Sequence, residues 1–284
     1  MGLQKKEQGK KVGIVVPSYN QGKYLERALR SIIENMKHRD IDLVVIDGGS
    51  TDNSVEIIKK YEEYIDYWQS KSDDGQAAAI NEGVKHLNGC NYIMWLNSDD
   101  EYEDETAVDK IATFAENNGL KICYGKSYFI DERSQKIDIY NTIPFNYKKL
   151  KKGCFLSQPS VLVDKKVWEE NGGLDERLKM CLDYELWIRL SKKYKFGYLE
   201  EYIGNTRVYE ETKTSTLQDI HLNEAISILH KQYGKVPINW IYTKWLYKYN
   251  LNDFKKPINR IIKLCLLLVR GRYIKEAQKN CDYK

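Results

Sequence analysis

Short apolar runs that stop abruptly in polar clusters, each followed by a helical stripe, fill the first 130 residues. Residues 12–16 read as a strand closed by Pro17. Residues 24–36 carry helical spacing through Leu25, Ala28, Leu29, Ile32 and Ile33. Residues 43–46 form the next strand. Residues 53–64 form the next helix, with Val55, Ile57, Ile58 and Tyr61 as its buried stripe and Asp52 as its N-cap. A short strand near Tyr67 and Trp68, a helix over 76–87, a strand over 92–96 and a helix over 106–117 complete a β-α-β-α-β-α-β-α order. Strands that read as unbroken apolar runs are buried on both faces, hence parallel, with helices on each side. Ligands of such sheets bind beyond the carboxyl ends of the strands. Three of those ends are polar and would share one edge: Pro17-Ser18-Tyr19-Asn20, Asp47-Gly48-Gly49-Ser50-Thr51-Asp52 and Asn97-Ser98-Asp99-Asp100.

Further along, strands are expected over 122–130, 137–140 and 160–163. Helices are expected from Lys165, over 183–194 and over 219–233. Residues 146–153, with Lys148, Lys149, Lys151 and Lys152, read as a mobile connector. Two basic amphipathic helices are expected after Pro237.

Charge separates that tail from the rest. The chain has a formal net charge of +4, yet residues 235–284 hold 12 Lys/Arg against three acids, so the preceding part is near −5. Such a tail suits an anionic partner, a membrane surface or nucleic acid. The six cysteines are widely spaced with no C-x-x-C, which argues against a zinc knuckle or a disulfide framework and for reduced thiols in the cytoplasm. The polar N-terminus has no signal-like apolar region. No run reaches the ~20 apolar residues that span a bilayer.

Four constellations carry chemical potential. Asp99 and Asp100 after a buried strand would raise each other's pKa unless a cation sat between them. Mg²⁺ and Mn²⁺ prefer such oxygens, often together with substrate phosphates; a solvated acidic turn is the plainer alternative. The glycines at 48 and 49 let backbone approach a ligand, and Asp47 could bond a ribose or base; a tight turn with an N-cap explains the segment equally well. Gly75-Gln76 opens a helix where free N–H groups could meet a phosphate, or forms an ordinary junction. In Cys181-Leu182-Asp183-Tyr184-Glu185-Leu186-Trp187 most side chains read as core. Asp183 is either an N-cap or a general base at a pocket floor.

In this order and spacing, the segments resemble the family 2 glycosyltransferases, an inverting group with the GT-A fold. The matching residues are Ile14 to Asn20, Asp47 to Asp52, Asp73-Asp74-Gly75-Gln76 with Asn81-Glu82-Gly83, Trp95 to Asp100, Gly172-Gly173-Leu174-Asp175 and Asp183 to Trp187. The resemblance covers about residues 10–215. It implies an α/β fold with a mostly parallel, Rossmann-like sheet over 1–218, divided into a nucleotide-sugar half (10–130) and an acceptor half (131–218). Residues 219–284 would form a basic helical extension. It further implies that Asp99 and Asp100 hold Mn²⁺ or Mg²⁺ against a nucleotide diphosphate. Pro17, Tyr19, Asn20 and Asp47 would line the nucleoside pocket, with Asp73, Gln76, Asn81, Asn97 and Ser98 near the ribose or sugar, and Asp183 would be the catalytic base. Gln158 and Trp187 are weaker acceptor candidates.

Three departures from the family pattern stand out. Asn97 replaces the first acid of the D-x-D motif, Gly48 replaces a second aspartate, and Tyr209 stands where relatives often carry a metal- or phosphate-reaching histidine. The Q-x-x-R-W pattern of processive polymerases is absent, which favours transfer of one sugar. The expected partners are a nucleotide-diphosphate sugar and a glycan or lipid-linked saccharide. The tail would rest on the cytoplasmic leaflet, and nucleic acid is not an expected partner. Residues 148–152 and 207–216 are candidate lids. The competing readings are a sugar nucleotidylyltransferase, disfavoured by the loop after the first strand, and a non-catalytic carbohydrate-binding protein, which has no reason to gather acids at three strand ends.

Overall fold

The computed structural model describes residues 9–209 and 217–248. The chain divides into two compact units, Met1–Thr212 and Lys213–Lys284.

The first unit is built on β1 (Val12–Ser18), β2 (Ile41–Asp47), β3 (Tyr67–Ser70) and β4 (Tyr92–Trp95), joined by α1 (Gly22–Asn35), α2 (Ser54–Lys60) and α3 (Gln76–Lys85). These four strands are mutually parallel, in the order β3-β2-β1-β4. Every residue of β1 and β2 is buried, as their unbroken apolar runs demand. On one face Ile14, Val16, Leu43 and Val45 join Leu25, Leu29 and Ile32 of α1 and Val108 and Ile111 of α4 (Ala107–Asn117) in a single core. On the other face Gly83 of α3 lies so close to Val15 that an added Cβ would fall 2.4 Å from its methyl group. Each fully buried Leu, Ile or Val contributes roughly 1.5–3 kcal/mol.

The other half is mixed. After the two-residue β5 (Glu101–Tyr102) and α4 come β6 (Ile122–Ile130), β7 (Lys136–Tyr140), α5 (Tyr147–Leu150), β8 (Val161–Asp164), α6 (Lys165–Glu170), α7 (Leu182–Leu190) and β9 (Phe196–Arg207). The sheet runs β3-β2-β1-β4-β8-β6-β9-β5, with β7 on β6. β8 is antiparallel to both neighbours, β5 and β7 are antiparallel additions, and β6 and β9 form a further parallel pair. The twelve-residue β9 and the short β5 were not anticipated. The lysine-rich connector is partly a helical turn, capped where the Asn146 side chain accepts the Lys149 N–H at 2.9 Å.

In the second unit, α8 (Gln218–Tyr233) ends at Gly234, whose φ of 67° is left-handed and whose N–H donates to the His230 carbonyl. Pro237 then precedes α9 (Ile238–Lys248). The second tail helix expected from the sequence lies outside the described residues. Among the described residues no helix is long and apolar enough to cross a membrane.

Candidate active site

β2, β1 and β4 lie side by side and parallel, so their three polar ends fall on one edge. Pro17 lies inside β1 rather than after it. It has no N–H to extend the ladder, and pairing with β4 stops at Val15 opposite Trp95. The chains then part. The Tyr19 side chain stands 63% exposed at the opening. Asn20 adopts a left-handed φ of 51° and stitches two loops together. Its N–H donates to Ser50 Oγ and its Oδ1 accepts the Thr51 N–H, both at 2.8 Å.

Asp47 does not face this opening. It is fully buried, and its carboxylate accepts the Gly49 and Ser50 N–H groups at 3.1 and 2.8 Å and the hydroxyls of Ser50 and Ser70 at 2.5 and 2.7 Å. With both oxygens engaged, it shapes the loop that was expected to line a nucleoside pocket. Another carboxylate lies over that loop. A Cβ on Gly48 would meet Asp73 Oδ2 at 3.1 Å, so the missing side chain leaves the room that Asp73 uses. Asp73 Oδ1 accepts the Gly75 N–H at 2.9 Å.

The Asn97–Asp100 turn is tied into both halves of the sheet. Gln76 Nε2 donates to Asn97 Oδ1 at 2.6 Å, and Asn97 Nδ2 donates to Asp100 Oδ2 at 3.1 Å. An aspartate at 97 could not make that second bond. Asp100 Oδ1 accepts the Arg207 N–H at 2.9 Å. Asp100 is therefore a buried anchor. Burial first, and the neighbouring Asp99 charge second, raise its pKa well above the usual carboxylate range. Ser98 is buried. Asp99 is partly exposed and its Oδ2 accepts the Tyr209 hydroxyl at 2.9 Å, while Gln21 Nε2 donates to the same phenol at 3.2 Å.

Arg207 was not singled out from the sequence, yet it locks this corner. Its side chain is fully buried and donates to the carbonyls of Asp99 and Asp131, to Glu101 and to Ser134, with its guanidinium over the Tyr24 ring. Far from solvent, a planar five-donor group can hold several acceptors at once. Of the segment 207–216 suggested as a lid, Arg207 is the buried end of β9, and residues 210–216 lie outside the described residues.

Asn81 is also engaged within the protein. Its Oδ1 accepts the Leu174 N–H, and its Nδ2 donates to the Leu174 carbonyl and Glu176. The amide is saturated in holding the Gly172–Asp175 loop, which Arg189 braces from the other side through the carbonyls of Asn171 and Gly173.

Asp183 lies in the first turn of α7. Burial raises its pKa to about 6, against the lowering pull of the backbone N–H groups of Tyr184 and Asp183 itself. It remains partly open to solvent. Its charge reaches Cys154 and Tyr140, whose pKa values burial, chiefly, pushes up. A carboxylate titrating near 6 is suited to accept a proton close to neutral pH. Trp187, one turn later, is not an acceptor surface. It is fully buried, stacked on Trp95 at 5.6 Å and edge-on to Phe196. Gln158 is half-buried, with its amide donating to the Trp95 carbonyl at 2.7 Å.

Among the described residues no three His, Cys, Asp or Glu side chains form an all-protein metal cage. The donor set instead suits a hard divalent cation shared with a ligand, which uses one or two carboxylates. The repulsion that raises Asp100 is the kind a cation beside Asp99 relieves.

The profile of glycosyl transferase family 2 matches residues 13–164, more than half of the chain, and the chain belongs to this family. It is 29% identical over 231 residues to an uncharacterized glycosyltransferase of Rickettsia typhi, covering 76% of this chain and 70% of that protein. It is 24% identical over 254 residues to the chondroitin synthase of Escherichia coli, covering 86% of this chain but 35% of that enzyme's length. The fold is the GT-A fold. It superposes with a TM-score of 0.64 on the mannosyltransferase PcManGT of Pyrobaculum calidifontis solved with GDP-Man and Mn²⁺, at 13% identity, covering 96% of this chain and 84% of that one.

Proposed function

We propose that this glycosyltransferase moves one sugar from a nucleotide-diphosphate donor to a hydroxyl of a glycan or lipid-linked saccharide, with inversion at the anomeric carbon. The observation that carries this reading is the gathering of three polar strand ends on one edge, joined through Asn20 and Tyr209, with Gln76 tying in the start of α3. Tyr19 offers an exposed ring for a base to stack on, and Asp73 lies above the adjacent loop. Asp99 would hold Mn²⁺ or Mg²⁺ against the diphosphate, with Asp100 and Arg207 fixing the turn beneath it. Bound there, the metal would stabilise the charge that develops on the departing nucleoside diphosphate. Asp183 accepts the proton of the attacking hydroxyl. The new glycosidic bond forms as the bond to the diphosphate breaks on the opposite side, in a single displacement.

The relatedness to a chondroitin synthase supports a role in making surface polysaccharide. The basic tail supports a peripheral position on an anionic membrane face, at ~1 kcal/mol per Lys or Arg near anionic lipid. The decisive experiment follows nucleoside diphosphate release from a panel of UDP- and GDP-sugars. Release from at least one donor, abolished by EDTA and restored by Mn²⁺, is expected, with loss on Asp99→Ala. Release that ignores both EDTA and that substitution would overturn the metal assignment. No binding of any donor would overturn the transferase reading.

A further inference from the structure

We propose that the acceptor is an anionic saccharide, seated in a groove next to Asp183; this rests on the function proposed above. The groove has a volume of about 600 Å³ and is lined by Phe129, Tyr140, Cys154, Phe155, Lys149 and Lys152, among others. Two of these residues, Tyr140 and Cys154, feel the Asp183 charge directly. A second link is a buried hydrogen bond. The hydroxyl of Tyr184, the residue after Asp183, donates to the Leu150 carbonyl at 2.7 Å inside the protein. The lysine-bearing turn α5 is thus bolted to the start of the helix that carries the base.

The charge of the groove is lopsided. Between Asp138 and Asp164 the chain has no acid and four lysines, at 148, 149, 151 and 152. One carboxylate, Asp138, also lines the groove. Lys148 and Lys149 make no ion pair among the described residues, and both are exposed. Lys148 and Lys149, adjacent within α5, repel each other, and a turn this short gains little from them as a helix. An anion laid across them removes that cost. The partly exposed rings of Phe129 and Tyr140 supply flat apolar faces on which the C–H surfaces of sugar rings pack, with the buried Phe155 beneath. Sugar rings that carry negative groups, either uronate carboxylates or phosphates, satisfy both features, and a neutral glycan satisfies only one.

The test uses the full chain and three probes: a hyaluronan hexasaccharide, a glycerol phosphate oligomer and neutral N-acetylchitohexaose. Affinity is measured by calorimetry across a salt series, together with affinity for UDP and GDP. At least one anionic probe is expected to bind more tightly than the neutral one. Its affinity should fall at least tenfold in the K149E/K152E double variant, return in K149R/K152R and weaken as salt rises. The arm that responds identifies carboxylate or phosphate as the group recognised. Equal binding of all three probes, indifference to charge reversal, or no binding of any probe would overturn the proposal. So would charge reversal that releases the protein from anionic vesicles without altering oligosaccharide affinity. If neither nucleotide binds while an anionic probe still depends on the lysines, the donor reading fails and the groove assignment stands.

Discussion

Asp99 and Asp100 are neighbours in sequence and opposites in placement. Asp100 turns inward, where Arg207 and Asn97 donate to its two oxygens. Asp99 stays partly exposed and meets Tyr209. Asp183 has a third environment, in which burial raises its pKa to about 6. Its ordinary value is near 3.9. The folded protein therefore holds this proton more tightly than the unfolded chain does. Relative to the neutral form, stability is lost as pH rises from about 4 to about 6, and the loss stays constant above that. Asp183→Asn should raise stability at pH 8 by on the order of 1–2 kcal/mol and have no such effect below pH 4, read from urea unfolding at both pH values. For catalysis the sign reverses, because the base works ionised. In the wild type kcat/KM should climb through about pH 6 to a plateau. In the variant it should be ~10²–10⁴-fold lower without that rise. A rise of the same shape in the variant would remove Asp183 from the role of base.

At the scale of elements, β1, β2 and β4 were legible because their cores are continuous apolar runs with no competing pattern. β9 was not. Its sequence carries Glu200, Glu201 and Gly204, and the strand exists because it pairs with β6 over most of its length, through two register shifts. β8 escaped the parallel expectation for a similar reason, since direction in a sheet is set by where the chain re-enters it. The site was legible to the extent that its residues act locally. The anchoring of Asn81 by partners 93 and 95 residues away, and of Asp47 by Ser70 of the next strand, lay beyond any local reading. Arg207 stayed hidden for the same cause. At the end of β9 it joins five partners from two distant stretches, 99–101 and 131–134. Arg207→Ala should therefore destabilise the protein by about 3 kcal/mol, because buried acceptors lose their donor. Arg207→Lys should recover less than half of that, since an ammonium cannot reproduce the planar fork. Denaturant titration decides it; a loss under 1 kcal/mol would mean the corner holds without the guanidinium.

For the whole molecule, the two units carry different charge as well as different architecture. The sheet unit presents acids at its ligand edge, while the final stretch is strongly basic, and of it only Ile238–Lys248 is described as helix. Deleting the residues after Pro237 should abolish co-flotation with vesicles rich in anionic lipid while leaving nucleotide affinity within twofold. Flotation that survives the deletion would remove the tail from membrane contact. The mixed sheet also has a mechanical meaning. β4 ends the run of four consecutive parallel strands and borders the antiparallel β8, so the two parts of the sheet meet along one seam.

Two indoles straddle that seam. Trp95 precedes the Asn97 turn by two residues, and Trp187 follows Asp183 by four, with their rings 5.6 Å apart and tilted by only 21°. Trp168 also lies 5.6 Å from Trp95, edge-on, and chromophores this close exchange excitation, so the near-ultraviolet dichroism is a signature of the cluster rather than of any one ring. Any ligand that shifts the end of β4 relative to α7 changes that coupling, so the protein would report its own loading in light, with no label attached.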